Sequence, residues 1–273
     1  IKYPHSSTSG NKKDMGVSYK KFGYFQSEFE SFDVIVNSLG MKINNKVRRH
    51  PLVFLLEAAD DIAYSVADIE DGCKKGLITL EVLKKKMYRY LDSSNPSEYE
   101  ILSTLENINV DPNYPQPLEV IASIFRIKIQ NFMIDASIKA FINNHDKILS
   151  GDFDMDLLDL SEAEGLKKAF KELGEILYNC KEVLKLELTG DKIITVLLEE
   201  FTKAITSPKR SRKGSKEEKL YNLISSNYRF LMEKYSDSEN KLYNELRLIT
   251  DFICGMTDSY ALDLYRSITA INI

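Results

Sequence analysis

The sequence predicts an all-α protein. Three observations carry that prediction. Apolar residues recur at three- and four-residue spacing along most of the chain, no series of alternating strands interrupts them, and only 12 glycines and 7 prolines punctuate 273 residues. Helical periodicity covers residues 52–69, 79–91, 117–149, 160–178, 192–205, 218–234 and 239–266. With 43% hydrophobic and 29% charged residues the chain can bury a sizeable core, in a compact multi-helix architecture with long C-terminal helices.

The first forty residues are looser. SSTSGNKKDMG (6–16) has the composition of a loop, and KKFGYFQSEFESF (20–32) restarts order with Ser27 as a helix cap. His50-Pro51 opens the next helix, since proline suits a first helical turn. NINVDPNYPQP (107–117) holds three prolines and joins two helices, which places a division between 1–106 and 107–273. IFRIKIQNFMIDASIKAF faces a core by its period. SPKRSRKGSK (207–216) reads as a solvated loop. Its Lys209, Arg210, Arg212, Lys213 and Lys216, with Lys219 just inside the following helix, could also hold phosphates of a nucleotide or of single-stranded DNA. No aromatic residue is interleaved there to stack bases. In GMTDSYALDLY (255–265), Gly255 permits a kink or close helix approach, and Tyr260, Ala261, Leu264 and Tyr265 have helical spacing for packing.

A net charge of −4 argues against a wholesale nucleic-acid footprint but leaves room for a local patch. No run approaches the ~18 apolar residues of a membrane helix. Three cysteines (Cys73, Cys180, Cys254) without paired spacing point to a reducing cytoplasm and to no zinc motif. The chain starts at Ile1, and IKYPHSSTSG carries no signal-peptide pattern, so it reads as beginning within a longer protein.

The acidic stretch EAADDIAYSVADIEDG (57–72) stands out, because no basic residue occurs between His50 and Lys74 to relieve its charge. On a helix, Ala59, Ala63 and Ala67 form a small-residue ridge that another helix could approach. Asp60, Tyr64 and Asp68 form the neighbouring strip, roughly 12 Å long at 1.5 Å per residue. Three readings remain open at this point. The strip is a solvated acidic face, or a structural ion-pair network, or a metal and sugar site in which Asp60 is a hard oxygen ligand, Tyr64 an aromatic platform and Asp68 a hydroxyl acceptor.

RHPLVFLLEAADDIAYSVADIEDG resembles the corresponding segment of bacterial deoxyguanosinetriphosphate triphosphohydrolases, members of the HD-domain phosphohydrolase superfamily. So do IKYP (1–4), KKFGYFQSE (20–28), LELTGDKIITVLLEEF (186–201) and DFICGMTDSYALDLYR (251–266), in the same order along the chain. The resemblance implies an HD-domain-like fold and hydrolysis of dGTP, or of other dNTPs, to the deoxynucleoside and tripolyphosphate, with Mn²⁺ or Mg²⁺ as cofactor. It implies Asp60 as the catalytic metal ligand, Tyr64 packed on the deoxyribose and Asp68 at the 3′-hydroxyl. It places Lys2, Tyr3 and one of Lys20 and Lys21, with Lys21 the choice here, near the phosphates, and Glu187 and Tyr178 towards the base. Residues 1–106 would be the C-terminal part of the catalytic core, and 107–273 would complete the nucleotide pocket and an oligomer interface. A homo-oligomer, often a hexamer, is the family expectation.

The departure from the family is in the histidines. Its His and His-Asp ligands precede the Asp60 segment, whereas the one His-Asp pair here, His145-Asp146, follows it and reads as incidental. The resemblance therefore implies a His-bearing N-terminal half as partner, in the same protein or as a separate chain. A catalytically silent nucleotide-binding or oligomerisation module is the alternative function.

Overall fold

The computed structural model describes residues 2–7, 16–108, 117–235 and 240–270. Most of the expected loop at 6–16 and of the proline-rich joint at 107–117 lies outside them. The fold is all-α: the described residues form twelve α-helices and one short hairpin. The chain divides into two compact units, Ile1–Cys180 and Lys181–Ile273. That boundary differs from the division at 106/107 read from the prolines, because the helix that follows them packs back along the helix carrying the acidic stretch.

In the first unit, α1 spans Phe29–Ser38, α2 Leu52–Lys74, α3 Leu80–Tyr90, α4 Pro96–Asn107, α5 Pro117–Asn143, α6 His145–Leu149 and α7 Glu164–Tyr178. A hairpin of β1 (Lys42–Ile43) and β2 (Lys46–Val47) separates α1 from α2. Asn44 and Asn45, at φ 50° and 59°, make its tight turn, a conformation asparagine tolerates better than other side chains. Helix starts follow local chemistry. The Thr79 hydroxyl accepts from Val82 N at 3.3 Å, and the Asn95 side chain accepts from Ser97 N at 3.1 Å ahead of Pro96. Ser27 is not the cap of α1. A 3-10 turn over Gln26–Glu28 intervenes, and the Glu28 carboxylate accepts from Phe25 N at 2.8 Å.

The core of this unit is α2 against α5 and α7. Ile62, Val66, Ile69 and Cys73 of α2 share one buried cluster with Phe125, Ile129 and Met133 of α5 and Leu166, Leu173 and Leu177 of α7. The expected alanine ridge is not the contact face: Ala59, Ala63 and Ala67 are exposed. Isoleucine and valine bury more apolar area than alanine, so α2 is rolled to bury Ala58, Ile62 and Val66 instead.

In the second unit, α8 spans Lys181–Thr206, α9 Lys216–Leu223, α10 Ser226–Tyr235, α11 Lys241–Cys254 and α12 Asp258–Thr269. Leu197 and Phe201 of α8 pack with Leu248 and Phe252 of α11, and with Ala261 and Leu264 of α12. The periodic run at 239–266 is two helices. Gly255 ends α11, where an added Cβ would lie 2.4 Å from the Tyr228 hydroxyl, and Thr257 caps α12. Tyr260, expected to pack, is exposed. The basic loop contains a 3-10 turn, Pro208–Ser211, that holds Arg210 against Glu245 at 3.0 Å.

Candidate functional site

The site begins with the entry to α2. Pro51 stands at the helix start with φ −49°, and the His50 ring Nδ1 accepts from Leu52 N at 3.3 Å. The helical repeat then sets Asp60, Tyr64 and Asp68 one turn apart, with Glu57 and Asp61 beside them. Asp60 is about half exposed, and Tyr64 is 69% exposed.

The N-terminal segment is brought to this helix by its neighbour at 20–25. Gly23 N donates to His5 O at 2.8 Å, and Ser7 N donates to Tyr24 O at 3.2 Å. The approach demands a glycine, since a Cβ at Gly23 would fall 1.8 Å from the Tyr3 carbonyl oxygen. Lys2 is thereby placed with its Nζ 3.6 Å from both Glu57 Oε1 and Asp60 Oδ2. Arg49 fastens the arrangement from below. Its side chain is 2% exposed, its Nε donates to Lys2 O at 3.0 Å, and its guanidinium pairs with Glu57 and lies over the Tyr3 and Phe54 rings. Burial, then the Glu57 charge, hold the Tyr3 hydroxyl above its ordinary pKa.

The other carboxylates of α2 are balanced from elsewhere in the fold. Lys167 of α7 lies 2.7 Å from Asp156, 2.8 Å from Asp159 and 4.0 Å from Asp61. Burial, with repulsion from Asp156, raises the Asp61 pKa despite that lysine. For Lys167, burial works downward, but hydrogen bonds to Asp156 and Asp159 outweigh it and the pKa is raised. Glu70 sits 2.7 Å from Arg126 and 3.0 Å from Lys74, and the Ser123 hydroxyl donates to it at 2.7 Å. That bond is the main reason its pKa is lowered. The ion-pair reading thus holds for Glu57, Asp61 and Glu70, whose partners are Lys2, Lys167 and Arg126 from distant sequence and Arg49 and Lys74 close by. Asp68 instead accepts a short hydrogen bond from the Tyr178 hydroxyl, at the end of α7, which raises the tyrosine pKa.

Of the expected site residues, Lys2, Tyr3, Asp60, Tyr64, Asp68 and Tyr178 are gathered on or beside α2. Lys21 is exposed on the segment that carries Gly23, and no ion pair joins it to these carboxylates among the described residues. Glu187 is exposed on α8, in the second unit. Arg49 and Lys167 were not anticipated. Doubled arginines ahead of a helix-opening proline are a faint signal for the first, and nothing local announces the second. His145 and Asp146 are both exposed, 3.2 Å apart, at the start of the short α6.

As a metal site this set is partial. Asp60 offers one hard oxygen and already has an ammonium group nearby. Among the described residues no group of three or more His, Cys, Asp or Glu side chains could hold an ion. The donors present do not by themselves fit a divalent cation. Among the same residues, no helix is long and apolar enough to cross a membrane.

Residues 161–267 match the model of a phosphohydrolase-associated domain. A deoxyguanosinetriphosphate triphosphohydrolase-like protein of Listeria monocytogenes is 35% identical over 279 residues, covering 100% of this chain and 58% of the relative. A similarly named protein of Synechocystis sp. is 27% identical, with the same two shares. A deoxyguanosinetriphosphate triphosphohydrolase of Yersinia pestis is 27% identical over 92% of this chain and 54% of its own length. The chain thus spans little more than half the length of these curated relatives.

Proposed function

This chain is homologous to the deoxyguanosinetriphosphate triphosphohydrolase-like proteins, and from that premise we propose that it forms the nucleotide-facing part of a metal-dependent dNTP triphosphohydrolase acting on dGTP. The observation that carries the reading is the Asp60–Tyr64–Asp68 strip, with Lys2 at one end and Tyr178 bonded to the other. A cation and an acid–phenol pair at opposite ends of one aromatic residue suit a ligand with an anionic tail and a hydroxyl-bearing ring.

In this reading Lys2, with Tyr3 and Lys21, offsets charge on the triphosphate. Tyr64 packs on the deoxyribose and leaves little room for a 2′-hydroxyl. Asp68, fixed by Tyr178, accepts from the 3′-hydroxyl. Water attacks the α-phosphorus, the bond from phosphorus to the 5′-oxygen breaks, and that oxygen leaves protonated in the deoxynucleoside. The water oxygen remains on the tripolyphosphate. Asp60 would supply one oxygen to Mn²⁺ or Mg²⁺, and the remaining ligands, histidines in this reading, would have to come from a segment other than these residues. A divalent ion supplies Lewis acidity and a more acidic water. Cytoplasmic residence and assembly into a homo-oligomer accompany the proposal.

Phosphorus NMR of dGTP with Mn²⁺ tests it, on the protein together with whatever segment supplies the histidines. Tripolyphosphate is the expected product, and Asp60→Ala is expected to abolish its formation while leaving helical circular dichroism unchanged. Orthophosphate or pyrophosphate as product, or full activity in the variant, would overturn the assignment.

A further inference from the structure

The first unit holds a second cleft with its own charge. It encloses about 230 Å³ between the N-terminal segment, the β1–β2 hairpin and the turn after α6. Its apolar floor is Phe54 and Phe153, edge to face at 5.0 Å, and one wall is Tyr19, stacked on His5 at 3.8 Å. Three cations border it: Lys46, Arg48 and Arg49. Arg49 has Glu57 as its counter-charge. Arg48 and Lys46 have none, since no ion pair involves either among the described residues, and the Arg48 Nε is buried without a hydrogen-bond partner. The one acid on the rim, Asp154, is already engaged: its Oδ1 accepts from Ser18 N at 2.9 Å and from the Ser18 hydroxyl at 2.6 Å.

The position of Arg48 is built in. Gly151, at φ 76°, lets the arginine stem lie against the backbone, where a Cβ would come within 2.7 Å of Arg48 Cγ. A half-buried guanidinium without a counter-charge costs stability, which an anion would restore. A cleft lined by one dominant charge also concentrates ions of the opposite sign. The volume falls below the ~300–1,000 Å³ of ordinary small-molecule pockets. It suits one tetrahedral oxyanion, with any larger group attached to it remaining outside. We propose that this cleft binds a phosphate-class oxyanion, held by Arg48 and Lys46, separately from the Asp60 strip. The proposal goes beyond the hydrolase reading and does not rest on it.

The test titrates the protein at low salt with inorganic phosphate and, separately, with dGMP, reading heat and backbone amide shifts. Saturation below about 10 mM is expected, with shifts at Ser18, Tyr19, Arg48 and Gly151, and with binding retained in Asp60→Ala. Arg48→Gln should weaken binding about tenfold, the loss of roughly one charge-assisted hydrogen bond. If that variant does not fold, Lys46→Gln, at an exposed position, carries the same expected direction. Saturation by inorganic phosphate assigns the cleft to the free ion, and saturation by dGMP alone assigns it to the phosphate group of a nucleotide. Saturation by neither, shifts confined to Lys2, Lys21 and Asp60, or unchanged affinity in the cleft variant that folds would overturn the proposal.

Discussion

Cys73 and Cys254 show how far burial separates two copies of one residue. Cys73 is 2% exposed near the end of α2, and burial, with the Glu70 charge, pushes its thiol up to about 11. At pH 7 that leaves on the order of one thiolate in ten thousand, the only form that alkylates. Cys254 is exposed at the end of α11. Brief iodoacetamide treatment followed by peptide mass spectrometry should therefore label Cys254 and spare Cys73 until the protein unfolds. Early labelling of Cys73 would contradict its burial. Asp61 gives a prediction with a pH sign. Its folded pKa is raised by burial and by Asp156, so its contribution to stability is full below the ordinary carboxylate pKa and is lost as pH rises through the raised value. Asp61→Asn should accordingly raise Tm at pH 7 by about 1–2 °C, a small effect because the side chain is half exposed, and should change nothing near pH 3. A lowered Tm at pH 7 would mean that its contact with Lys167 dominates.

Among the elements, α2 was legible in the sequence and its partners were not. A period of 3.6 residues is a local property, so the spacing of Asp60, Tyr64 and Asp68 could be read directly. Which face of the helix is buried depends on the volume of side chains elsewhere, and the alanine ridge was misjudged for that reason. Helix α4 buries only Ile101, Leu102 and Leu105, too few apolar residues to announce a period. The first turns of α8 expose nearly every residue, so they had no apolar stripe to betray them, although lysine, glutamate and leucine favour helix. The pairing of 2–7 with 20–25 was invisible in the sequence, because it rests on a backbone approach at Gly23. Gly23→Ala should break that pairing. The expected outcome is faster amide exchange at His5, Ser7 and Tyr24 and weaker dGTP binding, with α2 itself unaffected. Unchanged exchange would show that the segment is held by Arg49 alone.

At the scale of the whole chain, each cluster of buried side chains among the described residues lies within one of two compact units, which meet at 180/181, where composition suggested a division at 106/107. Pro117 opens α5, whereas unit boundaries follow from which helices share a core. Phe201 is fully buried and packs edge to face on Phe252 at 5.4 Å. Phe201→Ala should cost the unit from Lys181 to Ile273 about 3–5 kcal/mol. Hydrogen exchange of α8 and α11 measures it, and a loss under about 1 kcal/mol would show that the cluster closes over the gap.

The acidic helix is relieved of its charge by Lys2, Arg126 and Lys167 from distant sequence and by Arg49 and Lys74 close by, and these contacts are not equally sheltered. Arg49 meets Glu57 in the interior, while Lys2 meets Asp60 at the surface, with both side chains more than a third exposed. Dissolved ions screen the second contact strongly and the first hardly at all. Rising ionic strength therefore releases the lysine tip while its backbone stays tethered to the arginine. The grip proposed for this surface on an anionic tail is accordingly set by the salt around it as well as by the sequence.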